Sequence, residues 1–224
     1  MTFSITGRCA ETGQMGIAIS SSSIAVGARC PWLRPGIGAV STQNVTLPAL
    51  GERVLTCLAQ GASPAQARDA ALATDAHCQY RQLAVVDAQG RTAHFSGDET
   101  LGCHHAVAGK QCVGAGNLLA SRDVIEVLVR AFETHRGPLA DRLIAAMQAA
   151  MTAGGETGPV HSAALLVVGE PSWPIVDLRV DWADEAPIEQ LATLWAAYRP
   201  QMQDYLTRAF DPTQAPCYGV PGNE

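Results

Sequence analysis

A threonine stands directly behind the first methionine in "MTFSITGR". If that methionine is removed, Thr2 becomes the first residue and supplies two catalytic groups. Its hydroxyl is the attacking group, and its own free α-amine can take the proton, directly or through a water. A model α-amine titrates at about 7.7–8.0, so it needs little tuning to act as a base near neutrality. Methionine followed by a residue as small as threonine is the type that aminopeptidases commonly trim. The other reading makes Thr2 a β-favouring residue in a first or edge strand. A retained methionine would block the hydroxyl and leave Thr2 without a free amine.

Other residues could complete such a site. "SSSS" at 20–23 ends a segment expected to pair with the first strand. Pairing apolar with apolar sets Phe3 opposite Ile19 and Ile5 opposite Ile17, across a loop of about "CAETG". Ser20 or Ser21 then lies beside Thr2, where a serine can orient the α-amine, or simply ends a strand. Gln43, in "STQN", stands where another strand ends, and its amide can hold a substrate carbonyl or belong to a helix-entry turn. Asn117, in "GAGNLLAS", can stabilise an oxyanion together with neighbouring backbone N–H groups, or shape an Asx-type turn. Ser162 opens a strand and is a further substrate-binding candidate. Arg81 can bind a substrate carboxylate or form a surface ion pair. Lys110 is the single lysine, so a lysine mechanism has one candidate.

"CHH" at 103–105, with Cys112, His77 and Cys78, invites a metal reading. Zinc pairs of the C-x₂₋₄-C or H-x₃₋₅-H kind are missing, and adjacent strand residues point to opposite faces. No metal is expected. "GAGNLL" lacks the third glycine of a dinucleotide loop, so no cofactor is expected either.

The elements that must carry these residues come in a regular order. Strands "TFSIT", "MGIAIS" and "GIGAVSTQ" lead to two helices, "LPALGERVLTCLAQG" and "SPAQARDAALAT". The second helix opens with Ser63 as N-cap, Pro64 at the first position and Gln66 completing a capping box. A hairpin follows, "RQLAVVD" and "RTAHFSG" around "DAQG", and then one strand through residues 106–115. Two helices come next, striped by Val124, Ile125, Leu128, Val129 and Phe132, and by Leu139, Leu143, Met147 and Met151. "SAALLVV" and "IVDLRVD" form a last strand pair. Ile188, Leu191, Trp195 and Tyr198 mark a final helix that Pro200 should kink or break. Hairpins alternating with helix pairs disfavour a parallel sheet with crossover helices. They favour an α+β, four-layer α/β/β/α sandwich of two antiparallel sheets. A single domain is expected over residues 1–210, with an irregular Pro- and Gly-rich tail at 211–224.

The chain has 224 residues, 47% hydrophobic and 16% charged, so it is long and apolar enough to bury a sizeable core. A net charge of -6 and the lack of any Lys/Arg-rich run argue against nucleic acid or an anionic membrane as partner. No apolar run approaches a membrane span and no export signal is apparent, so a cytoplasmic location is expected. The seven cysteines are odd in number and irregularly spaced, which favours reduced thiols.

"TFSITGR", "GQMGIAISSSSIAVGARCPW", "GIGAVSTQ", "PALG", "RQLAVVDAQGR", "GNLLA" and "SAALLVV" occur in that order. Together they resemble the bacterial family called domain of unknown function 1028, over roughly residues 2–182. That family is grouped by fold with the N-terminal nucleophile (Ntn) hydrolases, whose α/β/β/α sandwich agrees with the element order above. The resemblance implies an Ntn-type amidohydrolase of a small amide-like molecule, with Thr2, Ser21 and Asn117 as catalytic residues and a homo-oligomer as a possible state. The rival is a catalytically silent Ntn-fold binding or assembly module. Leu47 stands where the family pattern suggests a small polar residue, and "GDETLGCHHAVAGK" replaces a segment expected to hold an aromatic. Substrates of relatives therefore do not transfer to this chain.

Overall fold

Two antiparallel sheets lie face to face in a computed structural model that describes residues 1–222. The larger sheet has six strands in the order β10-β9-β2-β1-β8-β7. These are β1 (Thr2–Arg8), β2 (Met15–Ser21), β7 (His105–Gly109), β8 (Cys112–Asn117), β9 (Ser162–Val168) and β10 (Pro174–Val180). The smaller sheet runs β3-β4-β5-β6, from β3 (Pro31–Arg34), β4 (Gly38–Asn44), β5 (Arg81–Asp87) and β6 (Thr92–Ser96). Helices α1 (Ala49–Ala59) and α2 (Pro64–Leu72) cover the outside of the small sheet. Helices α3 (Asp123–Thr134), α4 (Leu139–Thr152) and α5 (Pro187–Tyr198) cover the large one. A short α6 (Met202–Phe210) follows the break at Pro200. This is the four-layer α/β/β/α sandwich that the element order and the Ntn resemblance implied.

Local chemistry explains the elements. The capping box of α2 is complete: the Ser63 hydroxyl accepts from the Gln66 N–H, and the Gln66 side chain accepts from the Ser63 N–H. Val124, Ile125, Leu128 and Phe132 form one buried stripe of α3 and pack on Phe3 and Ile5 of β1. Val54, Leu55 and Leu58 of α1 pack on Val40, Leu83 and Val85. Between the sheets, Ile17, Ile19, Ala164 and Leu166 form an apolar layer, which gives way to polar residues around β1.

Three expectations need correction. First, the β1–β2 register is Thr2↔Ser21, Phe3↔Ser20, Ser4↔Ile19 and Thr6↔Ile17, one residue away from Phe3 opposite Ile19. Apolar-to-apolar matching fixes register only where one face is solvated. Here both faces are buried: Phe3 and Ile5 point to the helices, while Ile17 and Ile19 point to the other sheet. Second, residues 106–115 are not one strand. They lie in the hairpin β7–β8, which turns at Lys110 and Gln111, with Gln111 at φ 65. The turn has no Asn-Gly or Asp-Gly pair to announce it. Third, β3 went unforeseen. It is short and half-exposed, and Trp32 on it lies against Gly51 of α1, where a Cβ would come within 2.2 Å of the indole.

Candidate functional site

Four strands deliver one row of side chains at one end of the large sheet. Thr2 pairs with Ser21 on one side and with Asn117 on the other, and Ser21 pairs with Ser162. Side chains of directly paired residues share a face. The row Ser162–Ser21–Thr2–Asn117 therefore faces the second sheet. All four are buried.

Met1 lies over this row. The Thr2 hydroxyl and the Ser21 hydroxyl both donate to the Met1 carbonyl oxygen, each at 2.5 Å. The two hydroxyl oxygens are 3.2 Å apart. Ser21 Oγ also accepts from the Ser23 N–H at 3.1 Å, which leaves its proton for the carbonyl. The Ser162 hydroxyl donates to the Ser23 carbonyl oxygen at 2.6 Å and accepts from the Val26 N–H at 3.2 Å. Ser162 thus braces the turn that holds Ser21.

Beneath the row runs a buried amide seam between the sheets. Ser4 and Ser41 donate to Gln43 Oε1 at 2.7 and 3.0 Å. Gln43 Nε2 donates to Gln82 Oε1 at 2.9 Å, and Asn117 Nδ2 donates to the same oxygen at 3.1 Å. Gln82 Nε2 in turn donates to the Gly116 carbonyl oxygen and to Ser96 Oγ, both at 3.0 Å. Gln43 belongs to this seam, so it reaches the row through Gln82 and Asn117. One N–H of Asn117 is engaged there, and Asn117 keeps a second.

Arg81 stands apart. It neighbours Gln82 on β5 and so points to the opposite face. Its guanidinium bonds Asp75 at 2.7 Å and the Val45 carbonyl oxygen at 2.6 Å. The Asp75 carboxyl is held below its usual range, first by its hydrogen bond from Arg81. The cysteine–histidine group also disperses. Cys112 is buried in the helix-side core, His104 meets the Gly102 carbonyl oxygen, and His105 meets Glu126. Among the described residues no three His, Cys, Asp or Glu side chains gather as a metal site. A separate cleft of about 470 Å³ contains Arg8, Cys9, Lys110, Glu133, Arg136 and Arg142. It lies at the far end of β1, about 20 Å along the strand from Thr2.

One residue of the site had no sequence signal. Glu156, in the loop between α4 and β9, is only 6% exposed. Its Oε2 accepts from the Ser22 N–H at 3.3 Å, and its Oε1 has no partner. Burial pushes its carboxyl up to about 8, while the positive α-amine of Met1 and the Ser22 N–H pull the other way. The segment is tied to the end of β8. Leu118, at φ 51, turns the chain after Asn117, its carbonyl oxygen accepts from the Thr157 N–H at 3.0 Å, and Leu119 bridges Glu156. In the sequence "GGETGP" reads as a helix stop, where a glutamate is ordinarily solvated.

Among the described residues no helix is long and apolar enough to cross a membrane. No curated protein matches the chain. Protein SPO2555 from Silicibacter pomeroyi, assigned to DUF1028, has a solved structure similar to this one. It is 31% identical, with a TM-score of 0.85, covering 91% of this chain and 89% of that one. Anbu (ancestral beta-subunit) from Yersinia bercovieri is 10% identical at a TM-score of 0.43, covering 90% of this chain and 96% of that one. Anbu from Hyphomicrobium sp. strain MC1 is 11% identical at a TM-score of 0.44, covering 97% and 100%. Overlap that low says nothing of chemistry. Residues 2–191 match the model of the family of unknown function DUF1028, and the chain belongs to that family.

Proposed function

We propose that this protein is an Ntn-type amidohydrolase that cleaves the C–N bond of a small amide-like molecule, with Thr2 as nucleophile after removal of Met1. One observation carries the reading. The Thr2 and Ser21 hydroxyls both donate, each at 2.5 Å, to one carbonyl oxygen, that of the Met1–Thr2 peptide, which supports a place for a substrate carbonyl beside the attacking atom.

The steps follow from the groups present. With Met1 gone, the Thr2 α-amine takes the proton of its own hydroxyl, directly or through a water. Oγ1 bonds the substrate carbonyl carbon, and the carbonyl oxygen gathers negative charge. Ser21 donates to that oxygen, and the second N–H of Asn117 is the other side-chain donor in the row. The C–N bond then breaks, the α-ammonium proton passes to the leaving nitrogen, and an ester to Thr2 remains. Water, deprotonated by the α-amine, hydrolyses the ester, and its proton returns to Thr2.

A silent binding module is the second reading: wherever Met1 is retained, its carbonyl oxygen engages the Thr2 hydroxyl. Intact mass separates the two, since only a chain lacking methionine has a free Thr2 amine. With removal confirmed, turnover of small amides should vanish in Thr2→Ala and persist in part in Thr2→Ser. Undiminished turnover by Thr2→Ala refutes the nucleophile.

A further inference from the structure

Met1 fills a recess with three distinct walls. Its carbonyl oxygen meets the Thr2 and Ser21 hydroxyls. Its thioether sulfur accepts from the Thr157 hydroxyl at 3.5 Å, and its terminal methyl lies over Gly158, only 2.7 Å from where a Cβ would stand. A side chain on Gly158 would close this slot. Glu156 borders the same recess, because it accepts from the Ser22 N–H beside Ser21 and is bridged to Leu119, two residues beyond Asn117.

Glu156 is the unexplained member. A carboxyl more than nine-tenths buried with one oxygen unpartnered carries a desolvation penalty that native structures seldom leave unanswered. Oε1 is not used by the fold, because the link to Ser22 runs through Oε2 and the link to β8 runs through the backbone. An occupant bearing a nitrogen with N–H groups would satisfy it.

We infer that the recess vacated by Met1 is the acyl side of the substrate site, and that Glu156 receives a primary amine on the carbon next to the scissile carbonyl. The substrates are then small α-amino acid amides with an unbranched side chain that fits beside Thr157 and over Gly158. This rests on the reading that Thr2 attacks a carbonyl there. A free substrate sits about 2 Å further out than Met1, the difference between a covalent C–N bond and a reacting contact. An acylated nitrogen loses its positive charge and all but one N–H, and its acyl group needs room beside the buried carboxyl.

The test is binding, which needs no turnover. A chain beginning at residue 2 and carrying Thr2→Ala is released from an N-terminal fusion, and its mass is confirmed. Titration calorimetry then compares L-methioninamide with N-acetyl-L-methioninamide. The free amine should bind at least tenfold tighter. Glu156→Gln on the same background should bring the two within about twofold, with the circular dichroism spectrum unchanged. Equal binding of the two ligands by the Thr2→Ala chain, or binding of neither, overturns the inference without using the glutamine variant. A preserved preference alongside undiminished turnover by Thr2→Ala would instead sink the nucleophile and leave the amine site standing.

Discussion

The hydroxyls of Thr2 and Ser21 lie 3.2 Å apart on neighbouring strands and point at one carbonyl oxygen. Either residue could attack a carbonyl by type, but their surroundings divide the work. Ser21 Oγ is occupied by the Ser23 N–H and its proton is aimed at the oxygen, the geometry of a donor. Thr2 alone gains an amine when Met1 leaves.

Ser21→Ala should therefore lower kcat by about 10²–10³, the effect of losing one oxyanion donor, with little change in KM. Steady-state kinetics on any accepted amide checks this. The urea midpoint should change little, because the hydroxyl's partners are Met1, Thr2 and the Ser23 N–H at the sheet's end.

Glu156 should make the fold sensitive to pH in an unusual direction. An unfolded carboxyl titrates near 4.5, whereas burial lifts the folded one to about 8. The folded chain thus holds this proton more tightly between those values. Its stabilising contribution is whole below about pH 4.5 and is lost as pH rises through 8. Urea melts at pH 5 and pH 8.5 should differ by roughly 2–4 kcal/mol more in the wild type than in Glu156→Gln. Both proteins need the same N-terminus, checked by mass. An equal pH dependence in the two would show that Glu156 is not held protonated.

Gln82→Ala should destabilise the fold by about 2–4 kcal/mol. The change leaves Gln43 Nε2 and one Asn117 N–H without their acceptor and the Gly116 carbonyl without its donor. It should also lower turnover, since Asn117 is no longer held. Chemical denaturation beside kinetics measures both effects.

Gly7→Ala tests the helix side of the same strand. The added methyl would lie 2.5 Å from Phe132 Cζ, so the ring must move, at a penalty of about 1–3 kcal/mol. The site row is at the other end of β1, so kcat should hold while the urea midpoint drops.

Much of this was legible in the sequence because it is written in local chemistry. The capping box at Ser63, the stripe from Val124 to Phe132 and the break at Pro200 each depend on residues a few positions apart. Thr2 is singled out by its place behind Met1, Ser21 by the family pattern, and Asn117 and Ser162 by the ends of strands; strand ends at one edge of a sheet fall in one row. What stayed hidden depends on burial. The β1–β2 register slipped by one because both faces of the pair are covered, which removes the contrast that alternation reports. Arg81 and Gln82 look equally available in "YRQL", yet the pleat sends Gln82 to the seam and Arg81 to Asp75. Glu156 is separated from Thr2 by most of the chain and becomes a site residue only through the Leu118 turn and its link to Thr157.

The amide seam has a consequence for how the two halves of the sandwich come together. An apolar layer such as Ile17, Ile19 and Leu166 of the large sheet with Ala39 of the small one tolerates a small slide, because dispersion is not directional. The contacts of Ser4, Gln43, Gln82 and Asn117 exist at one alignment only. A displacement of one strand residue, about 3.3 Å, parts every donor from its acceptor at once. The seam therefore indexes one sheet against the other, like a key in a slot. Thr2 pairs directly with Asn117 of the seam, so the aim of its hydroxyl is set when the sheets dock, before any substrate arrives.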